Sequence, residues 1–269
     1  MEQNQSTARN ASLRERTLKR LFDIGASGFG LALCLPLFAV VAVAIKCDGP
    51  GPVFFRQIRV GRNGRPFPIL KFRTMRPAAE AAGPNFTVEG DLRITRVGAW
   101  LRAAKFDELP QLLNVLVGDM SMVGPRPETP DLMAHYTPEQ RADMLSIRPG
   151  VTDYASILLR NEGALLARAS DPARFYREAI MPLKAELCRV YLEEISLRAD
   201  LEIILITLSA LISREATPPR KILADAGLAE HLKALANLAG DTKGLCGSPI
   251  QSLPRSSARL CARRRDFRA

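Results

Sequence analysis

The feature that most constrains this chain is an apolar run from Leu21 to Ile45, LFDIGASGFGLALCLPLFAVVAVAI, whose twenty-five residues carry a single charge, Asp23. At about 1.5 Å per residue a helix of that length covers the hydrocarbon core of a bilayer, so the segment belongs with a membrane. Basic residues precede it (Arg14, Arg16, Lys19, Arg20), as in a secretory leader. The run is longer than the roughly 7–15 apolar residues of a leader and leads straight into a motif-rich region, so removal is not expected. Pro36 lacks a backbone donor, clashes with the preceding turn and pushes Leu35 away from helical angles. Two readings follow. One is a kinked spanning helix, which membranes tolerate. The other is a re-entrant hairpin in which Leu21 to Leu35 descends and Pro36 to Ile45 returns. Residues 1–20 hold five cations and two acids, and residues 46–105 hold twelve cations and four acids. Both flanks therefore prefer the cytoplasmic side, and the hairpin satisfies both.

With 269 residues and 47% hydrophobic content, the chain can bury a core and is too apolar to be disordered throughout. Its net charge of +10 favours an anionic partner. The five cysteines (Cys34, Cys47, Cys188, Cys246, Cys261) are scattered and never form C-x-x-C, which argues against a disulfide scaffold or zinc ribbon. His135 and His231 stand far apart, so a histidine-based triad or a multi-histidine metal site is excluded. Chemistry must come from carboxylates and cations.

Beyond Gly49-Pro50-Gly51-Pro52, the runs Val53-Phe54-Phe55 and Ile69-Leu70-Lys71-Phe72 flank a glycine-containing stretch and predict a small β-hairpin. Residues Pro77 to Gly90, rich in Ala, Gly and Pro, read as a loop that could act as a lid. Leu109, Leu112, Leu113 and Leu116 recur at helical spacing, predicting an amphipathic helix from Glu108 to about Val117 with Asp107 as its N-cap. Phe175 to Leu197 and Leu201 to Ile212 read as helices, the second apolar nearly all round yet too short to span, hence buried or lying at an interface. Lys221 to Ala239 is a further helix candidate. The Gly/Ser/Pro-rich remainder with its arginine cluster reads as a disordered basic tail able to meet anionic lipid.

The adjacent acids Asp107 and Glu108 are preceded by Arg93, Arg96, Arg102 and Lys105 and followed by Pro125-Arg126-Pro127. An ionised aspartate suits a carboxylate nucleophile or a hard-metal ligand. By itself such a pair at a helix start is more often a cap, but cations on every side point to an anionic substrate. Lys71 and Arg73, two apart at a strand end, would share one face with Phe72 on the other. The prolines around Arg126 stiffen the backbone that carries its guanidinium, as phosphate recognition requires.

At these residues the chain resembles the bacterial sugar transferases, the monotopic phosphoglycosyl transferases acting on polyprenyl phosphate. The likeness runs in order through Lys19-Arg20-Leu21-Phe22-Asp23, Gly51 to Gln57, Lys71-Phe72-Arg73-Thr74-Met75, Arg93-Ile94-Thr95, Asp107-Glu108-Leu109-Pro110-Gln111, Asn114-Val115-Leu116, Gly118-Asp119-Met120-Ser121, Val123 to Pro127 and Arg148-Pro149-Gly150-Val151-Thr152, covering about residues 17–212. The resemblance implies transfer of a phospho-sugar from a UDP-sugar to polyprenyl (undecaprenyl) phosphate with release of UMP. It implies Asp107 as the nucleophile that forms a covalent phospho-sugar intermediate, and Glu108 as its partner. Mg²⁺ is the implied cofactor, held by Asp107 and Glu108. Arg102 and Arg126, with Lys71, Arg73 and Arg160, are the implied contacts to phosphate or nucleotide. It further implies a helix broken at Leu35-Pro36, an inner-membrane, cytoplasmic-face location, inner-membrane lipid around the anchor and hand-over to downstream glycosyltransferases in surface glycan synthesis. The short form, with one membrane segment, points to N-acetylated amino-sugar donors. Two departures stand out: Leu35 where serine is frequent in the family, and Asp153 where glycine usually follows the threonine.

The expected fold class is therefore α+β and helix-rich: a re-entrant membrane helix broken at proline, a small β-hairpin, and amphipathic interface helices around the active site. Its parts are a basic flank (1–20), the membrane helix (21–45), a catalytic domain (46–213) and a C-terminal extension (214–269). A membrane-tethered nucleic-acid-binding protein would share the charge and the anchor. With 6% aromatic residues and no nucleic-acid-binding signature, no nucleic acid partner is expected. A non-catalytic scaffold would have no use for both acids.

Overall fold

The computed structural model describes residues 13–76 and 91–213. The loop of residues 77–90, the helix candidate within 221–239 and the basic tail lie outside the described residues. Helix α1 (Leu13–Asp48) is followed by strands β1 (Phe54–Val60) and β2 (Pro66–Phe72), then α2 (Arg96–Ala103), α3 (Gln111–Val117) and β3 (Ser121–Val123). The chain continues through α4 (Pro130–Met133), α5 (Pro138–Ser146), β4 (Gly150–Thr152), α6 (Tyr154–Leu158), α7 (Glu162–Arg168) and α8 (Pro172–Phe175), and ends in α9 (Met181–Glu193) and α10 (Leu197–Ser213). The helix-rich α+β class is what the sequence predicts.

Helix α1 runs through Pro36 as one element. The two separate halves expected from the sequence are not present as two helices, because a proline removes one donor while the flanking turns keep their own hydrogen bonds. Asp23, Ser27, Val41 and Ile45 are all buried, and the two pairs lie about five turns apart, so they share one side of the helix. The opposite side exposes Phe29, Leu33, Val40 and Val43. That pattern is a helix seated along a protein surface with apolar side chains left for lipid.

Both ends of α1 are fastened to the same folded unit. Near its start, the Lys19 ammonium donates to the Val123 carbonyl at 3.1 Å and pairs with Asp200 of α10 at 2.5 Å. Arg20 donates to the carbonyls of Val115 and Leu116, and the Asp23 carboxylate accepts from Ser121 Oγ and the Met122 amide. Near its end, the Arg73 guanidinium donates to the carbonyls of Ile45, Gly49 and Pro50, and Asp48 accepts from the Val97 amide.

The predicted hairpin is present: β1 and β2 pair antiparallel from Phe54 opposite Phe72 to Val60 opposite Pro66, closed by a turn in which Asn63 and Gly64 have positive φ. Strands β3 and β4 form a short parallel pair, Ser121 opposite Gly150 and Val123 opposite Thr152. The backbones cross so closely that a Cβ on Gly150 would strike the backbone of Gly124. The main core is built by α6 to α10 around Leu166, Ile180, Leu183, Leu187 and Ile203. A smaller one joins α1 to the hairpin and α2 through Val41, Ile45, Phe72 and Leu101. Helix α10 buries Ala199, Ile203 and Ala210 but exposes Leu201, Leu205, Leu208 and Leu211, an apolar face in keeping with the interface reading.

Candidate active site

Asp107 and Glu108 sit in a 3₁₀ turn (Phe106–Glu108), not at the start of an α-helix. The predicted N-cap role of Asp107 is thus corrected. Helix α3 begins at Gln111 with Pro110 in the capping position and no side-chain cap. The cause lies just upstream, where α2 ends and Lys105 takes a left-handed conformation (φ 58°, ψ 19°) that redirects the chain. The leucine spacing was real, but proline pre-set the helix start one turn later than expected.

The two acids meet opposite surroundings. Glu108 accepts from Lys71 Nζ at 2.9 Å and from both terminal nitrogens of Arg126, a forked pairing. Burial would raise its pKa, but Arg126 and Lys71 outweigh that and hold the carboxyl well below the usual range. Asp107 is buried, and among the described residues no hydrogen bond reaches its carboxylate. Burial first, then the neighbouring Glu108 charge, push its pKa up, while Lys71, Arg102 and Lys105 oppose. One acid is locked in an ion-pair cluster. The other is buried beside it with no donor to its oxygens among the described residues.

Each flanking cation is set by the fold. Asn114 of α3 accepts from the Leu70 amide and donates to the Pro68 carbonyl, so α3 is tied to β2 and Lys71 is brought to Glu108. Arg102 donates to Thr74 Oγ1 at 2.8 Å and makes no ion pair among the described residues. Its helix lies close to the chain there because residue 98 is glycine: a Cβ would overlap the Thr74 backbone. The backbone around Arg126 is pinned at three points. The Arg126 amide donates to Asp153 Oδ2 at 3.1 Å, Arg59 donates to the Pro127 carbonyl at 3.1 Å, and the Val60 amide donates to the Glu128 carbonyl at 2.9 Å. Asp153, the departure from the family pattern, therefore acts through Arg126. It also caps α6, accepting from the Ser156 amide at 2.6 Å.

Arg73 lines the same cavity as Lys71, while strand β2 ends at Phe72 and the Arg73 guanidinium donates to carbonyls at the exit of α1. Arg160 donates to the Ala210 carbonyl near the end of α10, on the cavity wall rather than beside the dyad. Leu35 is exposed on α1 and is not among the residues lining the cavity described below.

These groups line one cavity of about 1650 Å³. Its lining includes Ala26, Gly30 and Cys34 of α1, the cluster of Arg102, Asp107, Glu108 and Arg126, and also Glu128, Tyr176, Lys184 and Glu162. The last four were not singled out from sequence. The available signals were Glu128, adjoining the Pro-Arg-Pro motif, and Lys184, a lysine among buried apolar residues of α9.

Among the described residues no group of three or more metal-ligating side chains occurs. Mg²⁺ needs only one or two carboxylates when phosphate oxygens complete its shell. Asp107, with its uncommitted oxygens, fits that demand. Glu108 fits only by releasing a cation partner.

A fold with a membrane-type helix seated on a small domain, and a carboxylate pair ringed by cations beneath it, defines a membrane-associated enzyme of anionic substrates. Residues 14–214 match the family described as bacterial sugar transferase, and the chain belongs to that family. It is 40% identical over 200 residues to the UDP-glucose:undecaprenyl-phosphate glucose-1-phosphate transferase of Caulobacter vibrioides, covering 73% of this chain and 70% of that one. It is 43% identical over 143 residues to a UDP-N-acetylgalactosamine-undecaprenyl-phosphate N-acetylgalactosaminephosphotransferase of Aeromonas hydrophila (52% of this chain, 34% of that one). It is 44% identical over 147 residues to the exopolysaccharide production protein PSS of Rhizobium leguminosarum (52% and 73%).

Proposed function

We propose that this protein transfers a sugar 1-phosphate from a UDP-sugar to undecaprenyl phosphate at the cytoplasmic face of the bacterial inner membrane, releasing UMP. Family membership and the relatives support the general transfer. The observation that carries the finer reading is the contrast within the dyad, a buried Asp107 carboxylate free of donors beside a Glu108 neutralised by Lys71 and Arg126.

In the first step an Asp107 oxygen attacks the sugar-linked phosphorus, the bridging P–O bond breaks, and the bridging oxygen leaves with UMP. In the second, an oxygen of the lipid phosphate attacks the same phosphorus and the Asp107 carboxylate is regenerated. Both nucleophiles are anions, so no proton need be lost by either. Arg102 and Arg126 hold phosphate oxygens and stabilise the developing charge. Lys71 and Arg126 keep Glu108 ionised and in place, which keeps its carboxylate from competing for the donor. Mg²⁺, which Asp107 would hold, joined by Glu108 once Lys71 or Arg126 lets go of it, would offset the repulsion between carboxylate and diphosphate. Two large substrates can then use one site in turn, and ping-pong kinetics follow. The attachment of both ends of α1 to one domain supports a monotopic anchor that enters and leaves on the same side.

The test is UMP release with undecaprenyl phosphate across a panel of UDP-sugars, with Asp107→Asn as control. Wild-type turnover and loss of turnover in the variant are expected. Turnover near wild type in Asp107→Asn would remove Asp107 as nucleophile.

A further inference from the structure

We propose that the wall formed by Glu128, Tyr176, Lys184 and Glu162 is the subsite that reads the hydroxyl or acetamido groups of the donor sugar, an inference that rests on the sugar-phosphate transfer reading above. The four residues line the same cavity as Arg126 and the dyad. Lys184 is buried and makes three contacts: to Tyr176 Oη at 2.9 Å, to Glu162 at 3.0 Å and to Glu128 at 3.5 Å. Tyr176 in turn donates to Glu128 at 3.1 Å. Such a cluster fixes donors and acceptors in the geometry that recognition of individual hydroxyls requires.

Charge separates this wall from the dyad. Arg59 lies 4.0 Å from Glu128, so two cations (Arg59 and Lys184) face two carboxylates (Glu128 and Glu162), and the wall is neutral as a whole. A diphosphate gains little there and would meet two carboxylates. A neutral polyol or amide finds both donors and acceptors. At the dyad, Arg102 and Lys105 make no ion pair among the described residues and suit phosphate instead. The Nε–H of Arg59 is buried without an acceptor, so the cluster has a donor to spare.

The backbone also departs from the α-helix at this wall. Residues Tyr176–Ile180 form a π-helical turn between α8 and α9, with Tyr176 at its start. Turns of that kind are rare, insert an extra residue, and recur at functional sites. Here it holds Tyr176 and Lys184 together across two turns with both side chains on the cavity. Burial lifts the Tyr176 pKa, so its hydroxyl stays a donor throughout the working pH range.

The experiment compares wild type with Tyr176→Phe, Glu162→Gln and Lys184→Met in UMP release from UDP-glucose, UDP-galactose, UDP-N-acetylglucosamine and UDP-N-acetylgalactosamine. The readout is the ratio of kcat/KM between donors. That ratio cancels the amount of folded enzyme, so partial loss of stability does not mimic the effect. At least one variant is expected to shift the ratio between the two best donors by about tenfold or more, with inhibition by UMP unchanged. Glu162 lies at the half-exposed edge of the cluster and is the substitution least able to disturb folding. Ratios that stay within twofold of wild type in all three variants would overturn the subsite while leaving the transfer reading intact. A wild-type protein that releases UMP from no donor would overturn both.

Discussion

Asp107 and Glu108 are neighbours in sequence and opposites in environment, and the first expectations concern them. As the proposed nucleophile, Asp107 must be ionised, and burial raises its pKa above the ordinary 3.8. In the metal-free protein protonation therefore begins at a higher pH than for an exposed aspartate, and the Asp107 carboxyl should titrate above 3.8 when followed by carboxyl-carbon NMR without Mg²⁺. A midpoint at or below 3.8 would show that the flanking cations outweigh its burial. Asp107→Asn should lower turnover by about a thousandfold or more and abolish any sugar-phosphate adduct seen by mass spectrometry after rapid quench. The dyad was legible because two acids among so many cations have an evident use. Its geometry was not, because the ion pair from Lys71 spans thirty-seven positions of sequence. The hold of Arg73 on the exit of α1 was illegible for a related reason: alternation holds only while a strand lasts, and β2 stops one residue earlier.

At the scale of elements, short polar side chains do the joining. Asp153 caps α6 and holds the Arg126 amide, so Asp153→Ala should lower stability by about 1 kcal/mol. The same change should raise KM for the donor, because Arg126 loses the contact that fixes its backbone. Lys19 and Asp200 join α1 to α10, and Asp200 is buried. Lys19→Met leaves that carboxylate uncompensated and should cost about 3–5 kcal/mol by denaturant unfolding in detergent, much of it recovered in the Lys19→Met, Asp200→Asn double variant. The hairpin, α10 and much of α9 were visible as periodicity and turn residues. The π turn before α9 was not, since nothing in Tyr-Arg-Glu-Ala-Ile distinguishes a π from an α register. The residues that Lys184 draws together come from α7, the π turn and the loop before α4, and the set exists only after folding.

For the molecule as a whole, the question is on which side of the bilayer each part lies. Single cysteines at Thr17 and Arg65, in a background with the native cysteines replaced by alanine, should both resist a membrane-impermeant maleimide in intact cells and react after lysis. Labelling of Thr17 alone from outside would mean that α1 crosses. Charge in the sequence already favoured one side for both flanks. The structure adds the mechanical reason, in that side chains near both ends of α1 grip the same domain.

Those grips also decide what sets the depth of the anchor. A rod free at one end adjusts its tilt to the thickness of its surroundings. One clamped at both ends keeps whatever immersion the clamps dictate. The enzyme should accordingly work equally well in vesicles of short and long acyl chains, its reactive oxygen staying at a constant height above the headgroups.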